Sequence, residues 1–265
     1  MKELIERYQY FFFDLWGVIY DGKGIYKNVN NILQYIKKKK KKIIIVSNSS
    51  KSKPQTLEFL KIKGLNINLI NDIFTSGDFT KFEFFNSKKK FFPIDGRTKK
   101  NLQFLKRLKL NTAKNFEDTD LVIAITVNKH LDPKKIMNNL KICKKKKLKL
   151  ICVNPDFKVI NSYYGMGYFY NKYLNLGGRG EYYGKPNPKF YKFIFSKLKI
   201  NTKKKILFVG DTIYNDIVGA NYFGIDSLLI KKSKLYKYKM KDFKLLSYKK
   251  KNIFKPKFIL NELKL

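Results

Sequence analysis

Short runs of consecutive apolar residues, separated by segments of helical periodicity, are the feature that most restricts how this chain can fold. Residues 10–13 are all aromatic, and residues 43–46 are Ile or Val throughout. Uninterrupted runs of this length are typical of strands that are buried on both sides. Between the two runs, apolar residues recur at the spacing of one helix face, at Val29, Ile32, Leu33 and Ile36. The order strand, helix, strand predicts a parallel sheet covered by helices on both faces.

The same alternation continues along the chain. Pro54 and Gly64 have the positions expected for the first turn and the C-terminal cap of a second helix. Later elements are predicted as a helix at 188–198, a strand at 206–209, a helix at 216–222 and a strand at 228–230. Two more strands are predicted between the halves, at 121–125 and 148–153, joined by a helix that begins at Asp132 and Pro133.

Polar residues directly follow three of the predicted strands. Asp14 and Ser47 follow the two runs in the first half, and Asp211 follows the strand at 206–209 after one glycine. Because the carboxyl ends of parallel strands share one edge of the sheet, where ligands bind, we expect these side chains to face one crevice. Taken one at a time, each residue has a simpler explanation, since Asp and Ser often begin loops after strands.

Positive charge is spread along the whole chain. There are 58 Lys and Arg residues against 20 Asp and Glu, which gives a formal net charge of +38. A surface that binds nucleic acid concentrates such charge on one face and uses Arg to read bases, but only four Arg residues are present. Lys, Asn, Ile, Tyr and Phe all have AT-rich codons, so we attribute the lysines to nucleotide composition and expect no nucleic-acid partner.

The apolar content bounds the class of protein. Hydrophobic residues make up 44% of the chain, enough for a sizeable core. No apolar run approaches the ~20 residues that span a bilayer, and residues 1–10 lack the apolar region of a signal peptide. The two cysteines, Cys143 and Cys152, lack metal-ligand spacing. We therefore expect a cytoplasmic protein with no membrane partner.

Four short motifs occur at the ends of predicted strands or just before a helix. They are Asp14-Leu15-Trp16-Gly17-Val18, Val46-Ser47-Asn48-Ser49, Gly184-Lys185-Pro186, and Gly210-Asp211-Thr212 followed by Asp216. In order and in strand context they resemble the four motifs of the haloacid dehalogenase superfamily, and they span most of the chain. Thr75-Ser76-Gly77 and Asn154-Pro155-Asp156 also resemble class IIA members, the relatives of nucleotide and sugar-phosphate phosphatases.

This resemblance implies a fold and a domain organisation. The expected fold is α/β, with a Rossmann-like three-layer core around a parallel sheet and an inserted α/β cap domain of the C2 type. The long segment between the second and third motifs is where the C2 subclass carries its cap. We place the core at residues 1–72 and 181–265 and the cap at residues 73–180. His130, the only histidine, falls in the cap and is assigned no catalytic role.

The resemblance also implies a role for each motif. Asp14 would be the nucleophile that forms an aspartyl-phosphate, which splits one displacement into two steps. Ser47 and the backbone amide of Asn48 would bind phosphoryl oxygens, and Lys185 would supply positive charge to Asp14 and to the phosphate. Mg²⁺ prefers oxygen ligands, and the implied ligands are Asp14, the backbone carbonyl of Trp16, Asp211 and Asp216.

Trp16 departs from the usual pattern of the superfamily. Most of its phosphatases have Asp two positions after the nucleophile, as general acid and then base, and an indole has no proton to transfer in this range. Loss of such a group typically costs on the order of 10²–10⁴-fold in rate. A class IIA branch with the form Asp-x-Trp-Gly-Val is similar to this chain. Asp21 is predicted to be a turn residue, with action through a water molecule as the alternative.

Three functional hypotheses follow. The first is a Mg²⁺-dependent phosphatase that acts on a small phosphorylated metabolite, favoured by the intact Asp14, Lys185, Asp211 and Asp216. The second is a catalytically weak or degenerate member that binds a phosphorylated ligand, favoured by Trp16. The third is a nucleic-acid-binding protein, favoured by charge alone, for which affinity would depend steeply on salt concentration.

Overall fold

The computed structural model describes residues 1–126, 131–159, 164–232 and 251–265, and His130 lies outside these ranges. The strands in chain order are β1 (Tyr10–Phe13), β2 (Lys42–Ser47), β3 (Asp72–Thr75), β4 (Lys90–Pro93), β5 (Asn111–Thr112), β6 (Leu121–Ala124), β7 (Lys149–Cys152), β8 (Arg179–Tyr182), β9 (Ile206–Gly210), β10 (Asp226–Ile230) and β11 (Phe258–Leu260). They form two separate sheets.

Helices connect nearly all of these strands. The α-helices are α1 (Lys2–Arg7), α2 (Val29–Lys38), α3 (Lys53–Ile62), α4 (Ser76–Glu83), α5 (Lys99–Arg107), α6 (Pro133–Lys145), α7 (Met166–Asn175), α8 (Pro188–Leu198) and α9 (Gly219–Phe223). Shorter elements are the 3₁₀ turns Ile67–Leu69 and Lys251–Phe254 and the π-helical turn Ile213–Val218. None of the helices in the described ranges combines the length and apolar character needed to cross a bilayer.

The first sheet has the order β11-β10-β9-β1-β2-β3, and every described pair in it is parallel. Strand β1 lies between β9 and β2, with Phe12 paired in register to Ile44 on one side and Phe208 on the other. The predicted α/β fold with a parallel core sheet is therefore confirmed. The central position of β1 places its carboxyl end between those of the two strands that carry Ser47 and Asp211.

The alternating direction of the side chains along β1 explains why the first sheet has a helix layer on each face. Phe11 and Phe13 pack into one hydrophobic cluster with the apolar face of α2, whereas Phe12 packs into a second cluster with α8. Successive side chains of a strand point to opposite faces, so a run of consecutive Phe residues requires a helix layer on both sides. Each fully buried large side chain contributes about 1.5–3 kcal/mol relative to the same side chain exposed to water. Burial of apolar side chains is therefore the main stabilising term.

The second sheet has the order β5-β4-β6-β7-β8 and is also parallel. Its strands occur in the chain between those of the first sheet. One face packs with α6 and α7 in a cluster that includes Val122, Leu150 and Phe169. The other face, including Ile123 and Ile151, joins the same cluster as Phe12. The segment between the second and third motifs therefore carries a sheet and a helix layer of its own.

Strand membership bears on the predicted domain limits. Strand β3 pairs with β2 in the first sheet, although residues 73–75 fall inside the predicted cap. Strand β8 pairs with β7 in the second sheet, although residues 181 and 182 fall inside the predicted core. The two crossings between the sheets thus lie slightly later in the chain than residues 72 and 180. The division into core and cap domains stays a prediction.

Candidate active site

Three neighbouring strands bring polar side chains to one edge of the first sheet. Asp14 follows β1, Ser47 ends β2, and Asp211 follows β9. The backbone N–H of Asp14 donates to the carbonyl of Val209 at 2.9 Å, which extends the pairing of β1 and β9 up to the site. All three side chains are buried, with Asp14 7% and Asp211 0% exposed. The polar edge expected from the sequence is therefore present.

Lys185 lies between two carboxylates. Its Nζ donates to Oδ1 of Asp14 at 2.5 Å and to Oδ1 of Asp216 at 2.7 Å, and the residue is only 2% exposed. Burial by itself lowers the pKa of an ammonium group, but the charges of Asp14 and Asp216 outweigh it and hold the pKa above its ordinary value. The lysine therefore stays protonated, and its charge is directed at Asp14.

Asp216 is fixed by the loop that follows β9. Its Oδ2 accepts hydrogen bonds from the backbone N–H groups of Asp211 and Thr212, at 3.1 and 3.0 Å, and from the Thr212 hydroxyl at 2.8 Å. A Cβ added at Gly210 would overlap the Asp216 side chain, so glycine is needed for this close approach. Because Oδ2 is fully engaged by the loop, Oδ1 is held toward Lys185.

Asn48 joins the second motif to the third through its side chain. Its Oδ1 accepts from the backbone N–H of Lys185 at 2.7 Å, and its Nδ2 donates to the Lys185 carbonyl at 3.1 Å. The same Nδ2 donates to Oδ1 of Asp156 at 2.8 Å. Sequence reasoning considered only the backbone amide of Asn48, so this positioning contact was missed.

Asp156 reaches the site from the second sheet. It lies just beyond β7, and its Oδ1 accepts from both Asn48 and Asn215, each at 2.8 Å. Burial raises its pKa to about 6, against the opposing effects of the Asn48 hydrogen bond and the Lys185 charge. The Asn154-Pro155-Asp156 motif was noted in the sequence, but nothing there indicated that its carboxylate contacts the second and fourth motifs.

Burial also dominates the electrostatics of Asp14. It raises the pKa of Asp14 to about 7, with Asp216 adding to the increase and Lys185 opposing it. A carboxylate in water has a pKa near 4, so the site holds a carboxylate that is more basic than usual. Removal from water also strips the hydration shell from the group, which leaves its oxygen available for attack.

Three carboxylates in the described part of the chain are arranged as a set of metal ligands. Asp14, Asp211 and Asp216 each offer an oxygen, and these oxygens lie within 4.8 Å of one another. All three residues are buried. A cluster made only of carboxylate oxygens suits a hard cation such as Mg²⁺ and excludes the soft metals that prefer sulfur. The residues present therefore fit the metal that the sequence resemblance implies.

Trp16 packs its ring beside this cluster. The ring stacks on Phe59 of α3 at 6.1 Å between centroids and meets Tyr20 edge-on at 4.9 Å. Trp16 also borders the small cavity that contains Asp14, Ser47, Lys185 and Asp211. Asp21, the nearby carboxylate, accepts from the backbone N–H groups of Lys23 and Gly24, as predicted for a turn residue. The indole thus lines the cavity that contains Asp14.

A larger cavity of about 530 Å³ opens next to the small one. Trp16, Asp156 and Lys158 border both cavities, so the two spaces are adjacent. The lining of the larger cavity includes residues from α3, which belongs to the part of the protein around the first sheet (the first part). It also includes residues from α5, which belongs to the part around the second sheet (the second part). A small molecule whose reacting group lies at Asp14 would have its remainder in this space.

Two family models match separate stretches of the chain. A haloacid dehalogenase-like hydrolase model matches residues 11–104, and a HAD-hydrolase-like model matches residues 182–264. The first range contains the motifs of Asp14 and Ser47, and the second contains those of Lys185 and Asp211. No curated protein matches the chain.

Solved structures resemble the whole chain. A haloacid dehalogenase-like family hydrolase from Brucella suis 1330 has 25% identity and a TM-score of 0.86, with 99% of this chain and 98% of that chain covered. A 4-nitrophenylphosphatase from Thermotoga maritima has 19% identity and a TM-score of 0.72, with 98% and 96% covered. A glycerol phosphate phosphatase from Mycobacterium tuberculosis, in complex with magnesium, has 16% identity and a TM-score of 0.71, with 98% and 76% covered.

The motifs, the family models and the fold agree. The polar residues of all four motifs meet at the edge where the two matched ranges come together. The likeness to the phosphatase structures extends over nearly all of this chain and shows that the fold is shared. The family predicted from the motifs is confirmed: the chain belongs to the haloacid dehalogenase-like hydrolases.

Proposed function

We propose that this hydrolase is a Mg²⁺-dependent phosphatase that acts on a small phosphorylated metabolite through an aspartyl-phosphate. The observation that carries the proposal is the contact of one buried lysine with both Asp14 and Asp216, beside Asp211. Such a cluster can present a carboxylate nucleophile and at the same time neutralise a phosphoryl group. The same proposal places the enzyme in the cytoplasm and its cap in the segment of the second sheet, with class IIA and the Asp-x-Trp-Gly-Val branch as its subclass.

In this proposal some residues bind Mg²⁺ and others bind the phosphoryl group. Asp14, Asp211 and Asp216, with the backbone carbonyl of Trp16, would hold Mg²⁺. When bound, the metal supplies positive charge to the phosphoryl oxygens. The Ser47 hydroxyl and the backbone N–H of Asn48 would donate to the other phosphoryl oxygens. The positive charge of Lys185 would stay next to Asp14 and the phosphate during both steps of the reaction.

Two displacements then follow. An oxygen of Asp14 attacks phosphorus, the bond between phosphorus and the ester oxygen breaks, and the alcohol leaves after taking a proton from solvent. Water then attacks the phosphorus of the aspartyl-phosphate, the bond to Asp14 breaks, and inorganic phosphate leaves.

A second candidate is a degenerate member that binds a phosphorylated ligand with little turnover. The observation in its favour is Trp16, whose ring packs on Tyr20 and Phe59 where an acid would be needed. The charge-based nucleic-acid hypothesis has less support, because lysines occur on every part of the chain. Salt dependence of RNA or DNA affinity is its test.

The test is a screen of phosphorylated metabolites with the unmodified protein, in Mg²⁺ and in EDTA. We expect release of inorganic phosphate that needs Mg²⁺ and is lost, by about 10³-fold or more, in Asp14→Asn. The matched control is Asp21→Asn, at a nearby carboxylate that holds a turn. Binding of substrates without phosphate release in Mg²⁺ would establish the degenerate alternative, and full activity of Asp14→Asn would exclude the covalent route.

A further inference from the structure

The larger cavity beside the site contains a group of cations that the phosphatase mechanism does not use. Lys51, Lys100 and Arg107, named here the cationic group, all border this cavity. We propose that the substrate carries a second anionic group, a carboxylate or a second phosphate, and that the cationic group binds it. This proposal rests on the proposed function, because it places the reacting phosphate of the same molecule at Asp14.

Arg107 is the best-fixed member of the group. It ends α5 in the second part, and its guanidinium donates to the Ser50 carbonyl at 2.5 Å and to the Gln55 side chain in the first part. Its Cζ also lies 5.0 Å from the centre of the Phe104 ring. These contacts use two of its five N–H donors and hold the planar group in place. A guanidinium held in this way can bind a planar anion without a large loss of side-chain freedom.

The three cations lie close enough to repel one another. Burial lowers the pKa of Lys51, and the charges of Lys100 and Arg107 lower it further. Burial also lowers the pKa of Arg107, against the opposing charge of Asp78. Within the described ranges, none of the three is in a salt bridge. A bound anion would relieve this repulsion, which is the physical reason for expecting one.

The number of lysines does not carry this inference, because lysine is abundant in the whole chain. The placement does. The cationic group combines residues 51, 100 and 107, which come from segments belonging to different sheets. It borders a single open cavity, and that cavity adjoins the small cavity of Asp14 at Trp16 and Asp156. Phe104 and Ile125 line the same cavity and can contact a short carbon chain between the two anionic ends. The ligand that fits is a small phosphomonoester that carries a second anionic group.

The test compares glycerol 3-phosphate with 3-phosphoglycerate, which differ in whether an alcohol or a carboxylate lies far from the phosphate. Binding is measured by calorimetry in Mg²⁺ with Asp14→Asn, so that turnover does not consume the probe. We expect 3-phosphoglycerate to bind about 10-fold or more tightly, as is typical for a hydrogen bond to a charged partner. The preference should shrink as salt is added, since partly exposed charges are screened.

Variants locate the effect. Lys51→Gln and Lys100→Gln should each reduce the preference several-fold and leave glycerol 3-phosphate binding unchanged. Lys99→Gln is the matched control, because Lys99 is an exposed neighbour on α5 that does not line the cavity. Equal affinity for both probes, or a preference that survives when Arg107→Gln is added to the changes at Lys51 and Lys100, would overturn the proposal. Because binding is measured without turnover, this result is independent of whether the unmodified protein proves to be a phosphatase.

Discussion

Trp16 lies two residues after Asp14, where its ring is part of an aromatic cluster. It contacts Tyr20 and Phe59 and leaves no acidic side chain at that position of the chain. The next carboxylate after Trp16 in the sequence, Asp21, accepts hydrogen bonds within its own turn. At the scale of single residues, the chemistry of the proposed reaction therefore depends on what replaces the missing proton donor.

The first prediction concerns the leaving group. Because position 16 supplies no acid to protonate it, an aryl or acyl phosphate should react about 10²–10⁴-fold faster than an alkyl phosphate of similar size. Trp16→Asp should raise kcat for alkyl phosphates by roughly 10-fold or more, since it supplies the missing proton. Steady-state rates on 4-nitrophenyl phosphate and glycerol 3-phosphate measure both effects.

Two controls accompany this measurement. Asp14→Asn should lose turnover in either background, because the nucleophile itself is absent. A thermal melt of Trp16→Asp checks that loss of the ring contacts with Phe59 does not unfold the protein. Rapid hydrolysis of an alkyl phosphate by the unmodified protein, unaffected by Asp21→Asn, would show that the account of the missing acid is wrong.

The second prediction concerns the pH dependence of stability at Asp156. Burial raises its pKa to about 6, so the folded state keeps a proton that the unfolded state releases near pH 4. The free energy of unfolding therefore falls by about 1–3 kcal/mol as pH rises from about 4 to about 6. Asp156→Asn has no carboxylate to titrate and does not show this fall. The free energy of unfolding of the variant should therefore rise relative to that of the unmodified protein between about pH 4 and about pH 6.

Urea unfolding at a series of pH values in EDTA measures the difference. Asn at position 156 still has a side-chain oxygen for the donors of Asn48 and Asn215. The matched control is Asp118→Asn, at an exposed carboxylate whose pKa is lowered by its hydrogen bond with Lys90. That variant should show no gain with rising pH. A parallel response of the two variants would contradict the assignment to Asp156.

At the scale of elements, the end of β9 and the turn after it act as one unit. Gly210 ends the strand, the chain passes through Asp211 and Thr212, and the π-helical turn Ile213–Val218 then returns Asp216 to the strand end. The sequence predicts a regular helix over residues 216–222. The structure instead begins with the wider turn and continues as α9. Asp216 lies within this wider turn, and its Oδ2 accepts three hydrogen bonds from Asp211 and Thr212.

The third prediction tests that unit. In Gly210→Ala the new Cβ would overlap the Asp216 side chain, so Asp216 must shift from the position in which it contacts Lys185. We expect activity to fall by about 10²-fold or more, with a loss of about 1–3 kcal/mol in stability. Gly24→Ala is the control, because a Cβ there meets no atom within 4 Å. Equal activity in the two variants would mean that the placement of Asp216 is not required.

At the scale of the whole molecule, the site joins segments that are far apart in the chain. Asp14, Lys185 and Asp216 form one buried contact, and Asp156 adds the segment after β7 through Asn48. Binding of a cation at Asp14, Asp211 and Asp216 would lower the repulsion among these carboxylates only in the folded state. Metal binding should therefore stabilise the protein as a whole.

The fourth prediction follows. Mg²⁺ at about 100 times its Kd should stabilise the fold by about 2.7 kcal/mol, which for a chain of this size raises Tm by roughly 5–10 °C. Asp211→Asn should lose most of this increase. Because the net charge is +38, the reference sample contains NaCl at equal chloride concentration, so that anion binding is matched. An equal rise of Tm in the variant would place the metal elsewhere.

The sequence by itself determined the core of the fold and the membership of the family. The apolar runs that became β1, β2 and β9 are long enough to be recognised locally, and the polar residues after them follow directly in the chain. Burial on both faces leaves few alternatives for such runs. The parallel core and the convergence of Asp14, Ser47 and Asp211 could therefore be anticipated without coordinates.

Only the tertiary structure decided the rest. The short strands β3, β5 and β8 lack a long continuous apolar run, and they become strands because a neighbouring strand supplies their hydrogen bonds. Side-chain contacts of Asn48 with Lys185 and Asp156 join residues that are 137 and 108 positions apart, and no local pattern encodes such pairs. The cationic group is likewise assembled from α5 and the segment before α3. Local periodicity specifies elements, whereas contacts between distant segments depend on how those elements pack.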